Sequence, residues 1–122
     1  MMRYEKKGDV VIDHQTGLIW QANYTGPMDW ENAVIYARNL GDGWRLPEVS
    51  ELITIINHSR YFPASDFPGI GSERHWSSSF EANDFSHAWY VDFDDGYVSY
   101  SARTYYNYVR CCQSSNQNKI EE

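Results

Sequence analysis

Cys111 and Cys112 carry the most reactive chemistry in this chain of 122 residues. As thiolates they would attack electrophiles or take a soft ion such as Cu(I). Their adjacency works against both roles. A bridge between neighbours closes a strained ring, and successive side chains of a strand point to opposite faces. The pair is expected to be two free thiols, Cys111 buried and Cys112 partly exposed. Asp92, Asp94 and Asp95 offer the hard oxygens that calcium takes, but no acidic series leads to a closing glutamate. A solvated turn is the expected role, with no requirement for calcium. His14, His58, His75 and His87 lack a His-x-x-x-His spacing and read as surface histidines. Arg45, between Trp44 and Leu46, would need a carboxylate if buried, with Asp92 or Glu51 as the expected partner in a structural clamp. There is no Ser-His-Asp, paired-carboxylate or Gly-rich phosphate pattern. No catalytic residue, metal or cofactor is assigned.

The net charge is −7 and the isoelectric point is about 4.9. Such a surface repels phosphate backbones and anionic bilayers, which removes nucleic acid from the expected partners. No apolar run is long enough to insert into a membrane. The first residues, Met1 to Gly8, lack the apolar stretch of a signal peptide. The expected location is cytoplasmic, unless the protein is exported by another route or has lost a leader. Two adjacent cysteines cannot staple distant segments, and fit a reducing compartment. Aromatic residues make up 16% of the chain, enough to build a core from few elements.

The elements that would position these residues follow from periodicity. Val10–Ile12 and Leu18–Trp20 flank Asp13-His14-Gln15-Thr16-Gly17. Asp13 closes an Asx turn and Gly17 takes a positive φ, so the segment reads as a β-hairpin. Asp29 caps a helix whose apolar face holds Trp30, Ala33, Val34, Ala37 and Leu40, and Gly41 stops it. A second helix follows Pro47, with Val49, Leu52, Ile53 and Ile56 as its stripe and an end near Asn57. Tyr61–Arg74, with Pro63, Pro68, Gly69 and Gly71, reads as a long loop. Trp76–Phe80, Ala88–Phe93, Tyr97–Ser101 and Tyr105–Cys111 then read as strands of one twisted antiparallel sheet, with Asp94-Asp95-Gly96 as a turn. Hairpin, two helices, long loop and sheet make an α+β class. Residues 1–113 are expected to form one domain and residues 114–122 a disordered polar tail.

Several motifs occur in a fixed order. They are Asp13-x-x-Thr16-Gly17-Leu18-x-Trp20, Trp30-x-x-Ala33 with Tyr36 and Leu40, Trp44-Arg45-Leu46-Pro47 with Glu51-Leu52, Trp76-Ser77-Ser78-Ser79, Trp89-Tyr90-Val91-Asp92-Phe93 with Gly96, and Tyr108-Val109-Arg110-Cys111. From about Val10 to Cys112 the chain resembles the Lcl C-terminal-domain family of bacterial proteins. The resemblance implies a C-type-lectin-like fold, akin to formylglycine-generating enzymes, and a role in binding or adhesion. Some proteins of this fold are the variable receptor-binding proteins of diversity-generating retroelements, so a bacterial or phage origin is implied. Family members often carry a cysteine after the tyrosine of the first helix, which can pair with that of the Val-Arg-Cys strand. Ala37 stands there, so Cys111 lacks that partner. They also tend to have Thr or Ser after Arg-Leu-Pro. Glu48 stands there, and a reciprocal capping box is not expected. No collagen-like fused segment is expected from the residues at hand. The Glu-Pro-Asn and Trp-Asn-Asp motifs of sugar-binding C-type lectins are absent. Formylglycine-generating enzymes hold copper with a cysteine pair, and an oxidase of that type is the alternative the resemblance keeps open.

Trp20, Trp30, Trp44, Trp76 and Trp89 sit on apolar faces and are expected in the core, with Trp89 packed against the two helices. The tyrosines Tyr97, Tyr100, Tyr105, Tyr106 and Tyr108 read two ways, as a cross-strand ladder or as an adaptable binding surface. The loops Tyr61–Arg74, Glu81–His87 and Ser101–Asn107 are expected to gather at one end. There Arg74, His75, His87, Arg103, Tyr105, Tyr106 and Asn107 form the candidate ligand site, with Asp13, Arg45, Asp92 and the tryptophans as its structural frame. The function read from the sequence is a non-catalytic recognition module for a protein or glycan. A subunit that forms a homo-oligomer through its tyrosine face is a further alternative.

Overall fold

A computed structural model describes residues 2–114. The chain is α+β, with two short helices and two sheets. The four-stranded sheet has the order β1-β2-β3-β9, from β1 (Tyr4–Lys7), β2 (Val10–Asp13), β3 (Leu18–Gln21) and β9 (Cys112–Ser114). The five-stranded sheet has the order β4-β8-β5-β6-β7, from β4 (Thr25–Met28), β5 (Arg74–Glu81), β6 (Asp84–Asp92), β7 (Tyr97–Ala102) and β8 (Asn107–Val109). The helices are α1 (Trp30–Leu40) and α2 (Val49–Ile53).

The expected hairpin is β2–β3, with Val11 opposite Trp20. Asp13 closes its turn by accepting from the Gln15 N–H at 3.0 Å and from the Thr16 hydroxyl at 2.9 Å. Gly17 has φ 79°, a conformation that costs glycine nothing. Two partners were not visible in the sequence. Arg3 forks onto both Asp13 oxygens at 2.9 Å, and β1 adds an edge strand ahead of the hairpin. Burial of Asp13 opposes its charge, but the bonds from Arg3, Thr16 and Gln15 outweigh it and hold the carboxyl below its usual pKa.

Asp29 caps α1 by accepting from the Asn32 N–H at 2.9 Å, and Gly41 ends the helix at φ 68°. The second helix is shorter than its apolar stripe implies. It ends at Ile53, which is exposed, and the next turn buries Ile55 instead. At its start Glu51 accepts from the Glu48 N–H at 2.8 Å, a reciprocal cap the sequence reading did not expect. Ser79 Oγ of β5 accepts from the Val49 N–H at 3.0 Å, so the sheet adds a cap of its own.

The expected single antiparallel sheet is corrected in two places. The last stretch does not pair with β7. It forms β8, parallel to β5 and antiparallel to β4, and then β9, which joins the other sheet. Ser114 is therefore the last residue of β9 rather than the start of a tail, and the rest of the expected tail lies outside the described residues. The link expected over Glu81–His87 narrows to a tight turn at residues 82–83, since β5 ends at Glu81 and β6 starts at Asp84.

The central strands β5 and β6 separate two cores. On one face Trp76, Ala88 and Tyr90 meet Trp30, Ala33 and Ala37 of α1, with Leu46, Val109 and Cys111. On the other, Val91 and Phe93 meet Leu52 and Ile55, the long loop's Phe67 and Ile70, and Val11, Leu18 and Trp20 of the hairpin. Trp20, Trp30 and Trp76 are buried as expected, whereas Trp44 and Trp89 are half-exposed. Tyr90, not Trp89, faces α1. Trp89 points the other way, and its ring meets that of the cross-strand Tyr100 at 5.0 Å. The alternation of β6 was read correctly and its phase was not. Trp76→Ala should therefore cost about 3–5 kcal/mol in denaturant melts and Trp89→Ala less than about half as much. Equal losses would contradict this assignment of faces.

Candidate functional site

The 103–106 turn leaves β7 beside the start of β6 and is fixed by its backbone. Arg103 N–H donates to the Ser86 carbonyl at 2.8 Å, and the Arg103 carbonyl accepts from the Trp30 N–H at 3.0 Å. The Arg103 guanidinium lies 4.5 Å from the Trp30 ring centroid and 5.5 Å from that of Phe80. It also donates to the Phe85 carbonyl at 3.3 Å and to Glu31 at 3.4 Å. Stacking on two rings gives a cation–π attraction that also holds the fork in one orientation. Phe80 and Phe85 meet edge to face at 5.7 Å, and Phe85 is 71% exposed. Beside them lies a cavity of about 380 Å³ lined by Asp29, Glu31, Ser86, Ala102, Arg103 and Thr104.

His87 borders this surface. Its Nδ1 lies 2.8 Å from Asp84 and 3.0 Å from the Ser86 hydroxyl. Hydrogen bonds from Ser86, followed by the nearby His87, hold the Asp84 carboxyl below its usual pKa. Tyr105 and Tyr106 are 60% and 66% exposed on the same turn.

The other residues expected at the site are elsewhere. Arg74 pairs with Asp92 at 3.3 Å, about 20 Å along β6 from Ser86 at the usual strand rise. It also stacks on Tyr90, 5.1 Å from the ring centroid. His75 is fully buried against Phe93 and Tyr24, and Asn107 is buried with its amide toward Ser101. Neither lies on the surface. The three loops do not gather at one end either. The long loop bonds to Phe93 and Asp94 at the far end of β6, through the N–H groups of Ala64 and Phe62. Of the five tyrosines, Tyr108 packs on Tyr24 at 5.1 Å and Tyr100 on Trp89, while Tyr97, Tyr105 and Tyr106 are exposed.

Sequence reasoning missed Phe80, Phe85, Ser86 and Glu31 as parts of one surface. The available signal was Phe85, a large apolar side chain within the polar run Asn83 to His87. It also missed Arg110, which is 1% exposed. Arg110 Nη1 donates to the carbonyls of Gln21 at 2.8 Å and Ala22 at 2.6 Å, and its guanidinium stacks on Phe67. Burial lowers its pKa to about 10. Arg45 forks onto Glu51 at 2.6 and 2.8 Å, the clamp expected. Asp92 serves Arg74 and the turn N–H of Asp94 instead.

A family model, the Lcl C-terminal domain, matches residues 9–113. The chain belongs to the Lcl C-terminal domain family. No curated protein matches it. In this Lcl C-terminal domain Ala37 and Cys111 share one core, while Cys112 enters the other. Both thiols are free and fully buried, which corrects the expected exposure of Cys112. They leave the strand on opposite sides and do not face a common site. Burial pushes each thiol up to about 12. Among the described residues no group of three or more His, Cys, Asp or Glu side chains is placed to hold a metal ion.

Two outcomes follow from these buried groups. Native protein should be inert to a thiol reagent at neutral pH and release two thiols once unfolded; fast reaction of either in the native state would contradict their burial. His75 is held neutral, its pKa pushed down to about 3 first by burial and then by Arg110. An unfolded histidine titrates near about 6.5. The unfolded chain thus binds a proton that the native state refuses, and stability falls as pH drops below about 6.5, by up to about 1.4 kcal/mol per pH unit. His75→Phe should flatten that slope between about pH 6.5 and 4.5; an unchanged slope would show that His75 titrates freely.

Proposed function

We propose that this domain is a non-catalytic recognition module for a protein or glycan ligand. Its contact surface is the ring of Phe85 and Phe80, the fixed guanidinium of Arg103, and the exposed Tyr105 and Tyr106. The observation that carries this reading is the stacking of Arg103 on Trp30 and Phe80 beneath an exposed phenylalanine. Aromatic and arginine side chains dominate interface energies, and rigid rings lose little entropy on binding. The adjoining cavity, with carboxylate and hydroxyl walls, adds polar groups that could fix a ligand's orientation. The family resemblance, with its binding and adhesion members on a C-type-lectin-like fold, supports the same reading. A formylglycine-type oxidase is not favoured, because the two thiols enter separate cores.

A second reading rests on β7, the outer strand of its sheet, which carries the exposed Tyr97 and Tyr100. An outer strand with unpaired backbone groups is a template for a second copy of the chain. Elution position against concentration separates a homo-oligomer of this kind from a monomeric binder.

Replacing Phe85, Tyr105 and Tyr106 together by Ala touches no buried side chain. On a glycan array, or against a captured protein ligand, the triple variant should bind about tenfold or more weakly than wild type. Its melting temperature should stay within a few degrees. Unchanged affinity would place the binding surface elsewhere.

A further inference from the structure

A groove lies between α1 and the Trp44–Glu48 segment, apart from the Arg103 surface. Its volume is about 450 Å³, within the range that small organic ligands occupy. Its walls are apolar: Val34 and Ala37 from one face of α1, and Trp44 and Leu46 from the segment before α2. Trp44 is half-exposed and lines the groove.

The ionic groups on the rim differ in how far they are engaged. Three ionic side chains line it, Arg38, Arg45 and Glu48. Arg45 is already engaged by the bidentate pair with Glu51, and Glu48 adds its field to the same guanidinium. Arg38 is exposed in the last turn of α1 and makes no ion pair or side-chain hydrogen bond among the described residues. One uncommitted guanidinium thus stands over an apolar groove, on a chain whose net charge is −7. A planar fork with five donors is matched to a carboxylate.

We propose that this groove binds a small organic carboxylate with an apolar body, the apolar part on Trp44, Val34 and Leu46 and the carboxylate on Arg38. A cationic ligand would be repelled at the Arg38 end of the groove. A neutral ligand of the same shape gains the apolar contact and lacks the charge-assisted bonds.

The test uses 3-phenylpropionate as probe and its neutral amide, 3-phenylpropanamide, as control. Binding is followed by NMR at the Trp44 indole N–H and the backbone amides of Val34 to Arg38, on the whole chain at low salt. Arg38→Gln, at an exposed position, serves as the variant, and its amide spectrum reports whether the fold is kept. The carboxylate should perturb Trp44 and the α1 amides and bind about tenfold more tightly than the amide, the worth of one charge-assisted contact. The variant should bind both compounds equally and weakly. Failure of the carboxylate to perturb Trp44 up to its solubility limit would overturn the proposal. So would equal binding of acid and amide by wild type, or an unchanged preference in a folded Arg38→Gln.

Discussion

Residues 107–114 belong to both sheets, and the rest of the structure hangs on that crossing. Asn107 and Val109 pair with β4, and Tyr108 with β5. Three residues after Val109, Cys112 pairs with Trp20 of β3 and exchanges backbone hydrogen bonds with Arg45, at 3.0 and 2.9 Å. Between them the Gln21 side chain accepts from the Cys111 N–H at 2.8 Å, and the Gln21 N–H donates to the Cys111 carbonyl at 2.9 Å. The alternation of an extended chain then sends Val109 and Cys111 into one core and Cys112 into the other. A short run of backbone thereby ties the hairpin, the central sheet and the approach to α2.

Charge reinforces the same joints. Arg110 is buried under the crossing and bonds to the carbonyls of Gln21 and Ala22, which leave β3. A buried guanidinium is tolerable only where acceptors and ring faces replace water. The two carbonyls serve Nη1 and the Phe67 ring covers the guanidinium face, while Nε and Nη2 have no hydrogen-bond partner among the described residues; Phe67 also ties the long loop to the crossing. Arg3 with Asp13 and Arg45 with Glu51 do similar work nearer the surface, each as a two-point fork that fixes a turn or a helix start.

The local parts of this fold were legible in the sequence because their causes are local. Asp13 and Gly17 define a turn, Asp29 and Gly41 bound a helix, and alternation marks β5 to β7. What was hidden is long-range. Nothing near Tyr105–Cys111 announces that the stretch joins β4 and β5 rather than β7, or that its last residues cross to another sheet. The phase of β6 was misread because Trp89 and Tyr90 are both large and aromatic, and only α1, packed against one face, decides between them. The site was half legible. Arg103, His87, Tyr105 and Tyr106 were named from composition. Phe80 and Phe85 were not, since their importance comes from Arg103 and Trp30, distant in the chain. His75 and Asn107 were misplaced because polarity does not reveal burial when a carbonyl or hydroxyl stands ready to satisfy it.

The proposed recognition surface sits at the turn end of β5, β6 and β7, in the sheet that residues 107–114 join to the four-stranded one. The account therefore depends on the two sheets behaving as one unit. Native-state hydrogen exchange, read at single amides, tests this most directly. Cys112 N–H, bonded to Arg45, and the Trp20 and Val91 amides in the two sheets should exchange only through global unfolding, with one common free energy. If the amides of the four-stranded sheet open at a distinctly lower free energy than those of β5 and β6, the crossing does not couple the sheets and the account fails.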